Sequence, residues 1–542
     1  MNSATPLSEI QRKIVALSAA LGAAEIGGPL SNLEQTLLDE TKDVSVDPAV
    51  VANVHAQIRD GQDPLGDLFY EAHDATTRRT TGTVYTPPEI VHPMIDWALS
   101  EQPHRIVDAG AGSGRYTAAV LRQNPDLAVL AVDLDPMATL MTRAIGATLG
   151  ASNLEVRQAD FTRTRIAPIS GKTAYIGNPP YVRHHQIPPA AKKWATLAAA
   201  ALGHSISGLA GLHAYFYLAT ASHAKPGDVG CYVTSAEWLD VNYGSVIRNL
   251  LTHSLGASEL QIVAPTAQPF DGATTTAALV QFKVGTQPER VGFRTAETLD
   301  SLTPLGHGTP VSRSRLLETT RWSVFLKSRN EKREGFIELG EIARVHRGAV
   351  TGSNATWVLR EASDLPEKVL FPSITRAREL FDAGAELSTA AHLKRVIDLP
   401  TDLGELNADE RKVVEKFIQR ARRANVDQGY VAQNRRKWWS VGLKDPAPVL
   451  ATYMARRPPA FVRNLAGARH INIAHGVYPR QPLSEGVLAE LVRSLRSGVS
   501  LADGRTYAGG LTKFEPREME RLLVPDLATL TSYAGNSSQM DA

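Results

Sequence analysis

Residues 175–182 read Tyr-Ile-Gly-Asn-Pro-Pro-Tyr-Val, a short apolar run that ends in an amide, two prolines and an aromatic ring. Pro179 and Pro180 fix the backbone and remove two N–H donors, so the loop presents acceptors. Asn178 offers a side-chain carbonyl, and the peptide carbonyls beside it point the same way. Tyr181 adds a flat ring at the edge. Such a loop suits a planar group that carries an exocyclic amine: acceptors grip the N–H bonds and the ring stacks on the plane. An aryl amine is a poor nucleophile because its lone pair is delocalised into the ring. Two acceptors aimed at its hydrogens favour a pyramidal nitrogen and stabilise the positive charge that grows during attack, an effect worth several kcal/mol. No strong base is needed, since the proton becomes acidic only after the new bond forms. Taken alone, the tetrapeptide reads equally as a proline-rich turn after a strand, with Asn as a turn residue.

Upstream, Ile106-Val107-Asp108-Ala109-Gly110-Ala111-Gly112-Ser113-Gly114-Arg115 runs an apolar strand into a Gly-x-Gly-x-Gly turn, and Tyr116–Gln123 continues as a helix. The glycines let the backbone turn sharply and approach a ligand closely. A second strand, Ala128–Val132, ends in Asp133-Leu134-Asp135, with Asp133 19 to 23 residues after Gly114 and Gly110. That spacing places an acid to bind ribose hydroxyls. A third strand, Leu154–Arg157, ends near Asp160-Phe161, a carboxylate and a ring suited to an adenine amino group and face. Each acid alone would pass for a solvated loop charge. The loop lacks the Gly-x-Gly-x-x-Gly form of dinucleotide sites and the Gly-Lys-Ser/Thr of nucleoside triphosphate sites. Three ligand signals at the ends of three successive strands point to a nucleoside-bearing cofactor without a pyrophosphate.

Together these residues resemble the S-adenosylmethionine-dependent amino-methyltransferases, and more narrowly the gamma-class N6-adenine DNA methyltransferases of restriction–modification type, typified by the TaqI enzyme. The narrower likeness rests on motif order. Thr83-Val84-Tyr85-Thr86-Pro87-Pro88-Glu89-Ile90-Val91 precedes the glycine loop and looks like the family's N-terminal cofactor motif, in which Thr-Pro opens a helix. After the tetrapeptide comes Gln268-Pro269-Phe270-Asp271-Gly272-Ala273-Thr274-Thr275-Thr276, then the strand Ala277–Val284. The resemblance implies S-adenosyl-L-methionine as cofactor, with Tyr85, Thr86 and Pro87 over its methionine end. Asp108, Ala109, Gly110, Gly112 and Gly114 would shape the loop. Asp133, with Leu134 beside it, would take the ribose hydroxyls, and Asp160 would meet the adenine amino group with Phe161 packing nearby. Asn178 and the carbonyl of Pro179, backed by Pro180, would hold the target N6, while Tyr181 and Phe270 sandwich the everted base. The glycine loop departs from the family in one respect: it begins Asp-Ala-Gly where many relatives have Asp-Pro-Ala or Glu-Pro-Ala.

A chain of 542 residues, 43% apolar, is long enough for two or three packed domains. The expected class is α/β: a Rossmann-like class I methyltransferase domain with a mostly parallel sheet, an N-terminal helical region and a C-terminal α+β target-recognition domain. Residues 1–80 are expected to be helical, since Ile10, Ile14, Leu17 and Leu21 recur at helical spacing. Residues 81–330 are assigned to the catalytic domain, and within it 81 to about 290 form the alternating strand–helix unit, whose ligands belong at the carboxyl ends of the strands. His184 and His185 do not form a metal pair, because adjacent residues cannot share one helical face; no metal is expected. The single Cys231 lies in an apparent buried strand and excludes a disulfide framework. No signal peptide or apolar run long enough for a membrane span is found, and a bacterial cytoplasmic setting is expected.

From about residue 335 the character changes. Over 411–480 there are fifteen Lys/Arg against three Asp/Glu, although the whole chain carries a formal charge of only +2. Tyr430, Trp438, Trp439, Tyr453, Phe461 and Tyr478 are interleaved, the footprint of a nucleic-acid surface. Arg435, Arg436, Lys437, Arg456, Arg457, Arg463, Asn464, Arg469 and Asn472 are candidate DNA contacts, with His475 able to read a base edge. Lys513 joins them from 509–517, a segment resembling the closing motif of target-recognition domains. Residues 335–530 are assigned to that domain and 531–542 to a disordered tail.

The combined expectation is a site-specific adenine-N6 methyltransferase acting on double-stranded DNA as a monomer, with a separately encoded cognate restriction endonuclease as candidate partner. No nuclease pattern is found in the chain itself. Methylation of RNA or of a protein glutamine amide, and an inactive DNA-binding specificity factor, are the alternatives.

Overall fold

A computed structural model of the chain describes residues 7–72, 85–264, 267, 270, 276–326, 335–359, 363–455, 457–500, 503–507 and 511–540. The chain divides into two compact units, the first ending at Leu326.

The first unit is built on one nine-stranded sheet. Its strands are β1 (Arg105–Ala109), β2 (Ala128–Asp133), β3 (Leu154–Gln158), β4 (Thr173–Gly177), β5 (Val229–Ser235), β6 (Ala257–Val263), β7 (Ala277–Lys283), β8 (Arg290–Ala296) and β9 (Thr309–Ser312). They lie in the order β3-β2-β1-β4-β5-β7-β6-β8-β9. The first five run parallel; β7 is antiparallel to both β5 and β6. Strand order reverses between β1 and β4, and open α/β sheets bind ligands at such a point. Alternate residues feed two separate cores: Val107 and Ala109 of β1 join one, Ile106 the other. That is the two-residue period of a strand covered on both faces. Cys231 is buried in β5.

Four N-terminal helices, α1 (Glu9–Ala20), α2 (Asn32–Glu40), α3 (Pro48–Arg59) and α4 (Pro64–Ala72), pack on this unit. Ser8 with Gln11, and Ser31 with Glu34, form capping boxes that start α1 and α2. Ile14, Leu17, Val54, Ile58 and Leu65 share a core with Leu140, Met141 and Ala144 of the helix Pro136–Thr148. From that same helix Arg143, fully buried, pairs with Glu34 at 2.8 Å. It also donates to the carbonyls of Ile26, Gly28, Pro29 and Val156 at 2.6–3.2 Å. A buried guanidinium is tolerable only with its donors satisfied in this way.

In the second unit a five-stranded sheet runs in the order Ala343–Arg347, Ala474–Pro479, Val449–Thr452, Phe461–Asn464, Glu386–Leu387. The helix Glu485–Gly498 covers it through Leu488, Leu491 and Leu495. The disordered tail expected over 531–542 is corrected by the structure, which continues a helix from Leu527 to Met540. Asp526 caps that helix through the N–H of Thr529 at 2.8 Å. Leu530 is fully buried in the core and Leu527 and Ala534 pack beside it, so the segment has an apolar stripe that composition alone conceals. Among the described residues no helix is long and apolar enough to cross a membrane.

Candidate active site and DNA-facing surface

β1 delivers the glycine loop. Gly110, Gly112 and Gly114 have φ of +73°, +55° and +87°, values an L side chain rarely adopts. Asp108 is fully buried. Its Oδ2 accepts from the N–H and hydroxyl of Thr117 at 3.0 and 2.7 Å, tying β1 to the helix Arg115–Gln123. Burial pushes its carboxyl up to about 7.

β2 ends in Asp133, whose Oδ2 accepts from Gly112 N–H at 2.8 Å and whose Oδ1 accepts from Asp135 N–H at 2.9 Å. The carboxylate therefore holds the glycine loop and keeps further lone pairs for a hydroxyl. Burial raises it to about 6, against the lowering effect of those N–H groups. Leu134 beside it is exposed. After β3, Asp160 caps a short helical turn, with Oδ1 accepting from the N–H and hydroxyl of Thr162. Phe161 is buried, and its ring stacks on that of Phe216 at 5.1 Å. It belongs to the buried core of the first unit.

β4 ends in Gly177, and Asn178 follows. Its Nδ2 donates to the hydroxyl of Thr86 at 3.0 Å. Its Oδ1 is buried and accepts from nothing. The Tyr181 hydroxyl is likewise buried without a partner. A Cβ placed on Gly110 would lie 3.5 Å from Phe216 Cε1 and 3.9 Å from Pro180 Cδ, so the glycine loop and the proline loop converge. One placed on Gly112 would meet nothing within 4 Å, which leaves that stretch of backbone open to a ligand. Thr86 and Pro87 lead into the helix Pro88–Ser100, as the Thr-Pro motif requires. Residues 83–84, 268–269 and 271–275 of the flanking motifs lie outside the described residues.

Tyr181 and Phe270 do come together, but not as a sandwich. Their centroids are 5.9 Å apart with planes at 78°, an edge-to-face contact, and Phe270 is buried. Two rings that touch edge to face leave no slot for a base between them; they fill each other's apolar surface and must part to admit one.

Asp63 and Arg115 were not singled out from sequence. Asp63 Oδ2 accepts from Arg115 Nε at 2.6 Å and from Ser113 Oγ at 2.8 Å. Arg115 Nη1 donates to the Thr86 carbonyl at 3.0 Å, and its guanidinium lies over the ring of Tyr85. Arg115 directly follows the last loop glycine, which was the only signal available. A cavity of about 340 Å³ is lined by Asp63, Asp67, Tyr85, Thr86, Arg115 and Arg122; Asp133, Asp160 and Asn178 do not line it.

In the second unit several expected DNA contacts have partners within the unit. Arg463 bridges Glu386 and Glu485, the latter at 2.6 Å, and its side chain is only 14% exposed. Asn464 donates to the carbonyls of Ala447 and Ala468 and accepts from Ala468 N–H, closing a turn. Arg469 lies on Phe371 and donates to the Leu443 carbonyl. Arg435 is half-buried and donates to the Val350 carbonyl. Lys513 pairs with Glu515 at 2.8 Å. His475 is buried against the Phe514 carbonyl and cannot reach a base. Of the interleaved aromatics, Phe461 and Tyr453 are buried, and Trp438 and Trp439 pack, partly buried, against a separate core around Trp357 and Phe417, whereas Tyr430 is 82% exposed. Arg436, Lys437 and Arg457 are exposed, Lys437 beside Trp439 and Arg457 on Phe381. Asn472 is half-buried, with its N–H on the Ala349 carbonyl. Arg456 and residues 509–510 lie outside the described residues. The helix Ala408–Arg423 adds an exposed cationic stripe at Lys412, Lys416, Arg420 and Arg423, spaced by one helical turn.

Two family models match the chain: the Eco57I restriction-modification methylase over residues 154–265, and the C-terminal domain of the Type II methyltransferase M.Eco57I over 314–541. The Type II methyltransferase M.XamI of Xanthomonas campestris pv. amaranthicola is 45% identical over 525 residues, covering 96% of this chain and 99% of that protein. M.AccI of Acinetobacter calcoaceticus is 22% identical over 480 residues, covering 84% of this chain and 87% of that one. Among solved structures, the type IIL restriction-modification enzyme MmeI in complex with DNA matches with a TM-score of 0.55 at 12% identity, over 99% of this chain and 84% of that one.

Proposed function

The chain belongs to the type II restriction–modification methyltransferases, and from that membership we propose that it transfers a methyl group from S-adenosyl-L-methionine to the N6 amino group of an adenine everted from double-stranded DNA. The observation that supports this reading best is the buried, unpartnered Oδ1 of Asn178 at the end of β4. An orphaned buried acceptor is costly, and an amine N–H relieves it.

The residues present fit the cofactor. Asp133 would take the ribose hydroxyls, Asp160 the adenine amino group, the glycine loop the open flank, and Tyr85, Thr86 and Pro87 the amino-acid end. The bound cofactor supplies an electrophilic methyl group on a sulfonium. Everything else falls to this chain. A base inside a duplex cannot present N6 in line, so it must leave the stack. Tyr181 and Phe270 part and pack on it, which offsets part of the unpairing cost. Asn178 Oδ1 and the Pro179 carbonyl accept the two N6 hydrogens, hold the nitrogen in line, and stabilise its growing charge.

Residues 81–330 would carry catalysis and 335–530 target recognition. The protein would act as a monomer on DNA, beside an endonuclease of the same specificity encoded separately.

The test is incubation with labelled S-adenosylmethionine and DNA, RNA or protein, followed by analysis of the labelled product. Label in N6-methyladenine of DNA is expected. Asn178→Ala should reduce it to background while cofactor and DNA binding persist. Label in RNA or in a glutamine amide would replace the proposal, and full turnover by Asn178→Ala would remove the mechanism.

A further inference from the structure

The N-terminal helices reach the site through two carboxylates, Asp63 and Asp67, of which Asp67 lies 3.6 Å from Arg115 Nη2 and accepts from the Tyr85 hydroxyl at 3.3 Å, while Asp63 makes the shorter contacts. Asp63 precedes α4 and divides its two oxygens. Oδ1 accepts from Gly66 N–H at 2.9 Å and so starts the helix. Oδ2 accepts from Ser113 Oγ and Arg115 Nε, both in or next to the glycine loop. Arg115 then spends a second arm of its fork on the Thr86 carbonyl, and the Thr86 hydroxyl accepts from Asn178 Nδ2. These three residues are largely shielded: the Arg115 and Asp63 side chains are 11% and 13% exposed, and Thr86 is buried. Asn178 thereby has one end of its amide committed, and its oxygen is left buried and without a donor.

We propose that Arg115, held by Asp63, is a positioning residue that fixes Thr86 and through it the rotation of the Asn178 amide. The proposal rests on the reading of Asn178 as the group that holds the target amine. An amide free to rotate about its last bond would present NH₂ as readily as oxygen, and an NH₂ repels the amine it should grip. The Thr86 hydroxyl breaks that symmetry. Arg115 keeps the Thr86 backbone in place, and its planar fork is what lets one side chain serve Asp63 and Thr86 together. The N-terminal helices are on this view part of the methyl-transfer site, and they act on Arg115 through Asp63, with Asp67 farther off.

Lysine at 115 keeps the charge for Asp63 but has no fork to reach the Thr86 carbonyl as well. The experiment therefore compares Arg115→Lys, Thr86→Ala, Thr86→Ser and the Arg115→Lys/Thr86→Ala double variant with wild type. Melting temperature, cofactor affinity and the single-turnover methylation rate on DNA, normalised to active sites, are read for each. Arg115→Lys should melt and bind cofactor like wild type yet transfer about 10- to 100-fold more slowly, the size expected for a misplaced group. Thr86→Ala should show a similar loss, and Thr86→Ser, which restores the hydroxyl, should recover most of it relative to Thr86→Ala. The double variant should be no slower than the worse single one, because both act through the same amide. A wild-type rate in Arg115→Lys, or losses that multiply in the double variant, would overturn the proposal while methyl transfer itself stood. If the wild-type protein methylates no DNA, the reading of Asn178 fails and this one with it.

Discussion

A Cβ on Gly177 would sit 2.5 Å from the carbonyl oxygen of Ala109. Gly177 also holds φ at +146°, where L residues are strained. The last turn of β4 is thus pressed against the end of β1, and this close approach puts Asn178 beside the glycine loop. Gly177→Ala must either push the two strands apart or twist Asn178 out of line. The expected loss is at least about 3 kcal/mol of stability, read from denaturant unfolding, with methyl transfer lost even where the protein stays folded. An alanine variant with wild-type stability and activity would show that the approach is dispensable.

With Asp133 in its proposed place at the ribose, cofactor binding should depend on pH in a defined sense. A carboxylate accepts two hydroxyls; a carboxylic acid does so poorly. With the carboxyl raised to about 6 by burial, cofactor affinity should be flat above that pH. Below it, affinity should fall by up to about tenfold per pH unit, as measured by calorimetry. The free protein follows the opposite trend. A folded-state pKa above the unfolded value contributes stability that is complete below the unfolded pKa and lost as pH rises through the folded one. Asp133 and Asp108, the latter near 7, should therefore make the ligand-free protein less stable from about pH 4 to 7. Asp133→Asn should bind cofactor weakly at every pH, without the step.

Arg143 and Glu34 form a pair with no exposure to solvent. Removing one partner leaves a buried charge, at a cost of about 3–5 kcal/mol. Arg143→Met should therefore lower the melting temperature by on the order of 10 °C. Changing Glu34 to Gln in the same protein should restore little, because the carbonyls of Ile26, Gly28, Pro29 and Val156 lose their donors as well. Recovery to wild-type stability in the double variant would show that only the charge pair matters.

The first unit was the more legible half of the chain, and the reason is local. Asp133, Asp160 and Asn178 stand at the ends of strands whose apolar runs announce themselves, so strand order alone gathers them. Their neighbours came from afar: Asp63 is 52 residues from Arg115, and Asn178 is 92 from Thr86. Nothing in the spacing of either pair signals a contact. In the second unit, composition counted cations correctly but could not see their partners. Arg463 finds Glu386, 77 residues away, and Glu485, 22 away. A charge count treats a neutralised arginine and a solvated one alike, and it treats Trp438 in a core like Tyr430 in water.

The cationic stripe on the helix Ala408–Arg423 and the bridged Arg463 therefore make opposite predictions for DNA binding. Each phosphate contact adds about 0.9 to the slope of log affinity against log salt. Lys412, Lys416 and Arg420 have exposed side chains on one helical face, with Tyr430 exposed farther along the chain. Changing all three to alanine should lower that slope by about 2 to 3 and leave the melting temperature nearly unchanged. Arg463→Ala should do the reverse: the slope stays and the protein melts earlier, since Glu386 and Glu485 lose their shared partner. Salt titrations by fluorescence anisotropy on one DNA duplex separate the two. If Arg463→Ala reduced the slope and the triple variant did not, the phosphate-facing surface would have to be moved from the helix to the sheet.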